Sequence, residues 1–437
     1  MAERDWRSEP ERPGQGGLVR DSRGRTGEFQ GGSGPPTRQS AETAPSHERG
    51  RVVRVCTIFG TRPEVIKLAP VIRQLEARPE AFHNVNVSSG QHGDLLQAFI
   101  EHFRLRIDHD LCSMQRGQSL NALCATILSR VDAVLVEEKP DVVLVQGDTT
   151  TSVAGALAAF HRHVKVAHVE AGLRSGDRSS PFPEEMNRRL ISRLADLHFA
   201  PTSANRESLL SEGIEPRGIF VTGNTVIDAL QDIVAAPIED PRITRMLAET
   251  QGLRRIVLTT HRRESFGERI TAHLRILRGF VDRHPDVALV FPVHPNPVVV
   301  DASQKLLAGC DRVHLIQALP YHSFIKLLAA AWLVVSDSGG VQEEAPSLGK
   351  PLLVLRDTTD RQESIEAGVA RLVGESPERL EAMLEEAYQP GSWAEGVREV
   401  ENPFGRGDSA EQIIQILGGV LRDAEIPADA AGVRGAP

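Results

Sequence analysis

The sequence predicts an α/β protein with two domains, each built on a parallel sheet. Apolar strand-like runs alternate with helical patterns in both halves of the chain, which is typical of parallel sheets with helical crossovers. A length of 437 residues is too great for one ordinary core. Polar and acidic residues follow several of the strands, where open α/β sheets bind their ligands.

Composition narrows the class of protein. A net charge of −9 argues against a nucleic-acid-binding protein, which usually carries a basic footprint. No apolar run reaches the roughly 18 residues that span a bilayer, and the first residues lack the apolar core of a secretion signal. We therefore expect a cytoplasmic protein that does not act on membranes.

The four cysteines stand far apart, without the spacing of a metal site. We expect them to be buried and reduced, and we expect neither a catalytic metal nor a cofactor. They are Cys56, Cys112, Cys124 and Cys310.

Changes in amino-acid composition and pattern along the chain predict where its domains begin and end. Residues 1–50 are rich in Gly, Arg, Glu, Ser and Pro, and are predicted to be a disordered N-terminal extension. The first α/β domain is expected over residues 51–225 and the second over residues 226–400. A last helix, residues 408–422, is expected to pack back onto the first domain.

The centre of the first domain is a predicted βαβ unit. Its strands are Val142–Val145 and Val164–Val169, and a helix of small residues, Thr150–Phe160, joins them. Asp148 follows the first strand and could simply cap the helix. Glu170 follows the second strand, so capping alone does not explain the pair. Two carboxylates in one crevice push their pKa values apart, as acid and base catalysis requires.

A third acidic position opens the next predicted helix. Pro183 fits the first helical position, and Glu184 and Glu185 follow it. Carboxylates in a first turn also stabilise a helix through its dipole, so either could be structural. Arg188 and Arg189 are expected to be ion-pair or packing partners.

Two further segments are typical of phosphate sites. In Gly60–Glu64, Arg62 stands beside a predicted helix N-terminus, with Lys67 further along the same helix; an ordinary turn with a surface arginine is the alternative. After a buried strand, the run Ser338, Gly339, Gly340 leaves bare backbone N–H groups at a helix start.

Three more residues are candidates near these segments. Glu344 follows the glycines by about a turn and could bind ribose hydroxyls, although solvated helix glutamates are common. His261 and His294 each follow a predicted strand and could face an interdomain cleft. Neither histidine has the spacing of a zinc site.

Taken together, these motifs resemble the non-hydrolysing UDP-N-acetylglucosamine 2-epimerase family. The resemblance runs from Arg54 to about Leu421, with the motifs in the family's order. They are FGTRPEVIKLAPVI, GQH, VQGDTTT, HVEAGLRSGD, PFPEEMNR, VTGNTVIDAL, THRRESFG, PVHPNP, SDSGGVQEEAPSLGKP and LRDTTDRQE.

The resemblance implies a glycosyltransferase-B-like fold: two Rossmann-like domains with parallel sheets facing a cleft, the second domain binding UDP, and a homodimer. It also implies reversible conversion of UDP-GlcNAc to UDP-ManNAc through a bound 2-acetamidoglucal. The catalytic positions it implies are Asp148, Glu170, Glu184 and His261. The substrate positions are Arg62, Lys67, His294, Leu319, Phe324, Ser338, Gly339, Gly340, Glu344 and Arg361.

Three other functions remain open from the sequence. A hydrolysing epimerase, which releases UDP and free ManNAc, would share these motifs. A glycosyltransferase of the same fold would need an acceptor site, for which the sequence shows no specific feature. A non-catalytic nucleotide-sugar sensor would not need all four implied catalytic residues.

Overall fold

The computed structural model describes residues 51–422 apart from residues 92, 116, 261–267, 360 and 375. The predicted N-terminal extension, residues 1–50, lies outside the described residues. So does the predicted catalytic residue His261.

The first sheet has seven parallel strands in the order β3-β2-β1-β4-β5-β6-β7. The strands are β1 (Val53–Phe59), β2 (Phe82–Ser88), β3 (His109–Asp110), β4 (Val142–Gln146), β5 (Lys165–Val169), β6 (Leu197–Ala200) and β7 (Ile219–Val221). Every residue of β4 is buried, as expected for a central strand covered by helices on both faces.

Six helices accompany this sheet in the described part of the chain. They are α1 (Arg62–Glu76), α2 (Gly93–Phe103), α3 (Leu120–Glu138), α4 (Thr150–His161), α5 (Glu184–Leu194) and α6 (Ser203–Ser211). The predicted position of Pro183 was wrong by one residue: it is the N-cap of α5, and Glu184 is the first helical residue. Helix α2 was not predicted.

The second sheet has six parallel strands in the order β10-β9-β8-β11-β12-β13. The strands are β8 (Arg254–Thr259), β9 (Val287–Val293), β10 (Val313–Gln317), β11 (Leu333–Ser336), β12 (Leu352–Val354) and β13 (Ala370–Leu372). Its order repeats that of the first six strands, so both sheets are Rossmann-like, with a switch point beside the first strand of each. The predicted pair of parallel α/β sheets is confirmed.

The remaining helices cover the second sheet or connect the two halves, except that the last one returns to the first half. They are α7 (Val226–Ala235), α8 (Pro241–Glu249), α9 (Glu268–Arg283), α10 (Pro297–Leu307), α11 (Tyr321–Ala329), α12 (Gly339–Ser347), α13 (Gln362–Glu366), α14 (Pro377–Tyr388), α15 (Trp393–Gly396) and α16 (Ser409–Arg422). Helix α7 contacts α1 of the first half and α11 and α12 of the second, and α16 packs on α1 and β1. Among the described helices, none combines the length and apolarity needed to cross a bilayer.

The cysteines are all unpaired, but they differ in exposure. Burial, and then the charges of Glu138 and Asp108, raise the pKa of the buried Cys56 thiol to about 12. The prediction that all four are buried was wrong, because Cys112 is exposed and the remaining two are half-buried.

Candidate active site

A cavity of about 750 Å³ lies where the carboxyl ends of strands from both sheets meet. Most of the predicted site residues line it: Arg62, Lys67, Asp148, Glu170, Glu184, His294, Leu319, Phe324, Ser338, Gly340, Glu344 and Arg361. Gly339 is not in the wall itself but begins α12 beside Arg361. The structure thus brings these residues together, while their individual roles stay predictions.

The turn after β1 is tightly packed beneath the cavity. A Cβ atom at Gly60 would lie 1.9 Å from the Ser89 hydroxyl oxygen and 2.6 Å from that of Thr151, which no side chain could tolerate. This close approach explains the glycine at the start of the GTRPE motif.

Glu64 fastens that turn to the neighbouring strand end. Its Oε2 accepts hydrogen bonds from the backbone N–H groups of Gly60 (3.0 Å) and Thr61 (2.7 Å). Its Oε1 accepts from the hydroxyls of Thr149 (2.8 Å) and Ser152 (2.9 Å). Burial raises the pKa of Glu64, and these hydrogen bonds oppose the rise. Glu64 therefore ties the start of α1 to the start of α4.

Asp148 is not the cap of α4. Thr149 takes that role, since its hydroxyl accepts from the Ser152 N–H at 3.1 Å. The Asp148 carboxylate instead accepts from Arg188 Nε at 2.8 Å, and Arg188 is buried on α5. The Asn187 side-chain amide donates to the Asp148 carbonyl oxygen at 2.7 Å. Asp148 is thus held from α5, with its side chain at the cavity wall.

Glu170 occupies a strained backbone conformation at the end of β5. Its φ of +65° lies in the left-handed region, which residues other than glycine rarely adopt. Its carboxylate accepts hydrogen bonds from Lys67, Gln146 and Asn224, the last at 3.1 Å. Such strain, held by three donors, is common at functional sites.

A buried ion cluster joins the two halves of the site. Lys67 pairs with Glu170 from its own half, and its Nζ lies 3.5 Å from Oε2 of Glu343 on α12. Glu343 also accepts from Arg361 Nε at 3.0 Å. Burial alone would lower the pKa of Lys67, but the charges of Glu170 and Glu343 outweigh it and raise the pKa.

The two adjacent glutamates at the start of α5 have different surroundings. Glu185 is fully buried and accepts from Arg189 at 2.9 Å, from the Ser175 N–H at 2.9 Å and from Arg188 at 3.4 Å. Glu184 is half-buried and lines the cavity. The expectation that both arginines are ion-pair partners is confirmed, and Glu185 is the structural member of the pair.

The start of α12 offers backbone donors to the cavity. Ser338 is the N-cap residue, and its side chain makes no capping bond to the described helix. Cβ atoms on Gly339 and Gly340 would meet nothing closer than 3.5 Å and 3.7 Å, the nearest groups being the Arg361 guanidinium and the Glu344 carboxylate. Uncapped N–H groups beside an arginine form a suitable anion site.

Glu344 is a buried carboxyl beside a second glutamate. Burial, helped by the charge of Glu343, raises its pKa to about 7, against the lowering effect of a hydrogen bond from Tyr321. The Tyr321 hydroxyl donates to Oε1 at 2.8 Å. The same burial, together with the Glu344 charge, raises the pKa of Tyr321.

The other predicted substrate residues lie on the second half of the wall. The half-buried His294 follows β9, and its Nδ1 accepts from the Asn296 N–H at 3.2 Å. Leu319 and Phe324 are half-buried around the start of α11 and form an apolar part of the wall.

Sequence reasoning missed four residues that shape this site: Glu64, Asn224, Tyr321 and Glu343. One had a usable signal, because a glutamate three residues after Thr61 is the pattern of a capping box. The other three depend on contacts between elements distant in the chain. Periodicity within one element does not reveal such contacts.

Comparison with known proteins agrees with this geometry. A family model described as UDP-N-acetylglucosamine 2-epimerase matches residues 73–418. The UDP-N-acetylglucosamine 2-epimerase of Bacillus subtilis is 43% identical over 365 residues, which is 84% of this chain and 95% of that protein. The enzyme of the same description from Escherichia coli K12 is 42% identical over 370 residues, 84% of this chain and 98% of that protein.

Solved structures give the same result. The UDP-GlcNAc 2-epimerase of Neisseria meningitidis, bound to UDP-GlcNAc, is 40% identical, with a TM-score of 0.75 over 84% of this chain and 99% of that one. The paired Rossmann-like sheets around a cleft are therefore a glycosyltransferase-B-like fold, as the resemblance implied. The chain belongs to the UDP-N-acetylglucosamine 2-epimerase family.

Proposed function

We propose that the chain is a non-hydrolysing UDP-N-acetylglucosamine 2-epimerase that interconverts UDP-GlcNAc and UDP-ManNAc. The observation that carries the proposal is one cavity bounded by acidic side chains at the strand ends of one sheet and by an uncapped helix start with an arginine on the other. The first arrangement suits proton transfer at a sugar, and the second suits a diphosphate. The Neisseria meningitidis relative was solved with UDP-GlcNAc, which supports the substrate class.

The proposed chemistry is an elimination followed by a re-addition. A base takes the proton from the second carbon of the sugar, and the freed electron pair forms a double bond to the anomeric carbon. The bond from the anomeric carbon to UDP breaks, and UDP leaves with the bonding electrons. Protonation of the 2-acetamidoglucal from the opposite face and return of UDP to the anomeric carbon give the epimer.

Each proposed role has a physical basis. Asp148, Glu170 and Glu184 lie at one cavity and are proposed to transfer protons. Lys67 and Arg361 carry the charge needed to retain UDP while it is detached from the sugar. His261 is proposed to assist the departing diphosphate, on the family resemblance alone.

Proton NMR of the purified protein with UDP-GlcNAc in deuterated water tests this function. We expect deuterium at the second carbon of the sugar, accumulation of UDP-ManNAc and little free UDP. Free UDP together with free ManNAc would identify a hydrolysing enzyme instead. Tight UDP binding without any exchange would indicate a transferase or a sensor.

The assembly and location of the protein are further parts of this proposal. We propose a cytoplasmic homodimer, as the family resemblance implies. Analytical ultracentrifugation of the full chain should give twice the monomer mass of 47.7 kDa. A single species at the monomer mass would contradict it.

A further inference from the structure

Glu343 lies between the two cations that are proposed to hold the diphosphate. Its side chain is only 3% exposed. Oε1 accepts from Arg361 Nε at 3.0 Å, and Oε2 lies 3.5 Å from Lys67 Nζ. A carboxylate therefore already stands where these two cations converge.

Asn224 fixes this carboxylate relative to the one on the opposite half of the site. Its side-chain amide donates to Oε1 of Glu170 at 3.1 Å and to Oε2 of Glu343 at 3.3 Å. The residue is itself buried, and its backbone N–H donates to the Phe404 carbonyl oxygen at 2.7 Å. Glu343 is thus held in place rather than mobile at the surface of the cleft.

Among the residues that the structure describes, the cations of this cluster already have carboxylate partners before any ligand arrives. Two cations, Lys67 and Arg361, face two carboxylates, Glu170 and Glu343. A diphosphate brings further negative charge and needs the same cations. It must therefore share them with Glu343 or displace it, and a nearby like charge weakens anion binding.

We propose that Glu343 is the internal counter-anion of the diphosphate subsite. It holds Lys67 and Arg361 in position in the empty cleft and competes with the diphosphate for them. This competition limits the affinity for UDP and lets the nucleotide leave. The inference rests on the proposed function, because it takes Lys67 and Arg361 as ligands of the diphosphate. Glu343 is a positioning residue, since it acts through these two side chains.

The test is Glu343→Gln, which keeps the shape of the side chain and removes its charge. We expect UDP to bind about tenfold more tightly by calorimetry, the scale on which one close charge alters binding. We expect kcat to fall, because a diphosphate that is held more tightly leaves more slowly. A residue that only supported the fold would lower affinity and kcat together.

A matched control is Glu363→Gln. Glu363 also joins the two halves, since it accepts from the Thr202 hydroxyl at 2.9 Å, but it is not in the cavity wall. We expect unchanged UDP affinity and kcat in this variant. Glu343→Asp provides a second test if the glutamine variant does not fold. Its shorter carboxylate should compete less and tighten UDP binding in the same direction, by a smaller factor.

Unchanged or weaker UDP binding in a folded Glu343 variant would overturn the inference. Its failure is distinguishable from failure of the proposed function. If the native chain does not epimerise but Glu343→Gln tightens UDP binding, the function is wrong and the counter-anion stands. If the native chain epimerises and the variant does not tighten UDP binding, only the counter-anion is wrong.

Discussion

The two halves of the cleft share a strand order but carry different residues at their strand ends. In the first sheet, acidic side chains follow the strands, and lysine and arginine side chains hold two of them, Glu170 and Asp148. In the second sheet, β11 leads into Ser338 and two glycines at an uncapped helix start. In the proposed function, the same topology therefore supports chemistry on one side and anion binding on the other, because function depends on the residues placed at the site.

The largest expected effect separates chemistry from binding in the first half. Asp148→Asn should lower turnover by about a hundredfold or more, the usual scale for an acid or base, while UDP binding stays near native. Deuterium exchange at the second carbon and calorimetry with UDP measure the two quantities. The control is Asp132→Asn, since Asp132 pairs with Arg162 on the surface, away from the cavity. Near-native turnover would remove Asp148 from the catalytic set.

The adjacent acids on α5 sharpen the comparison within the first half. Glu184→Gln should lower turnover by about a hundredfold with little change in Tm. Glu185→Gln should lower the free energy of unfolding by about 3 kcal/mol, because it breaks a buried ion-pair network. Turnover measurements and urea unfolding of both variants check these two expectations. If the two variants exchanged these effects, the assignment of the catalytic and structural glutamates would be reversed.

Some residues of the cleft could be predicted from the sequence alone, and others could not. Asp148, Glu170 and Ser338 were predictable because each lies within two residues of the end of a strand, and parallel strands deliver such residues to one edge. By contrast, β13 has three residues and shows no periodic pattern. The role of Glu343 could not be predicted, because it depends on a contact with Arg361. Arg361 lies beyond the end of α12, the helix that carries Glu343.

Glu344 gives the second half of the cleft a pH dependence of its own. Its folded pKa of about 7 exceeds the ordinary 4.5, so the folded state retains a proton that the unfolded chain has lost. Stability should therefore fall as pH rises from about 4.5 to about 7, by about 3 kcal/mol. The difference in unfolding free energy between the native chain and Glu344→Gln, measured as a function of pH, isolates the contribution of the Glu344 carboxyl. A difference that does not change with pH would contradict the assignment.

The smallest expected effect concerns the helix start in the second half. A Cβ on Gly340 fits the empty cleft, so Gly340→Ala should fold normally. It should weaken UDP binding by about tenfold, because the methyl group crowds the backbone donors of the proposed diphosphate site. Turnover at saturating substrate should fall less.

A control for this substitution lies far from the cleft. Gly419 is in α16, and a Cβ there would meet no atom within 4 Å, so Gly419→Ala should leave UDP affinity unchanged. Equal affinity in both alanine variants would mean that the start of α12 does not bind the nucleotide.

A structure of the chain with UDP bound tests the division of the cleft most directly. We expect the diphosphate at the start of α12 beside Arg361, with the Glu343 carboxylate moved from its contact with Arg361. The uracil should lie near Leu319 and Phe324, and the sugar should face Asp148 and the other acids of the cavity wall. A diphosphate bound at the first sheet instead, away from α12, would contradict this account.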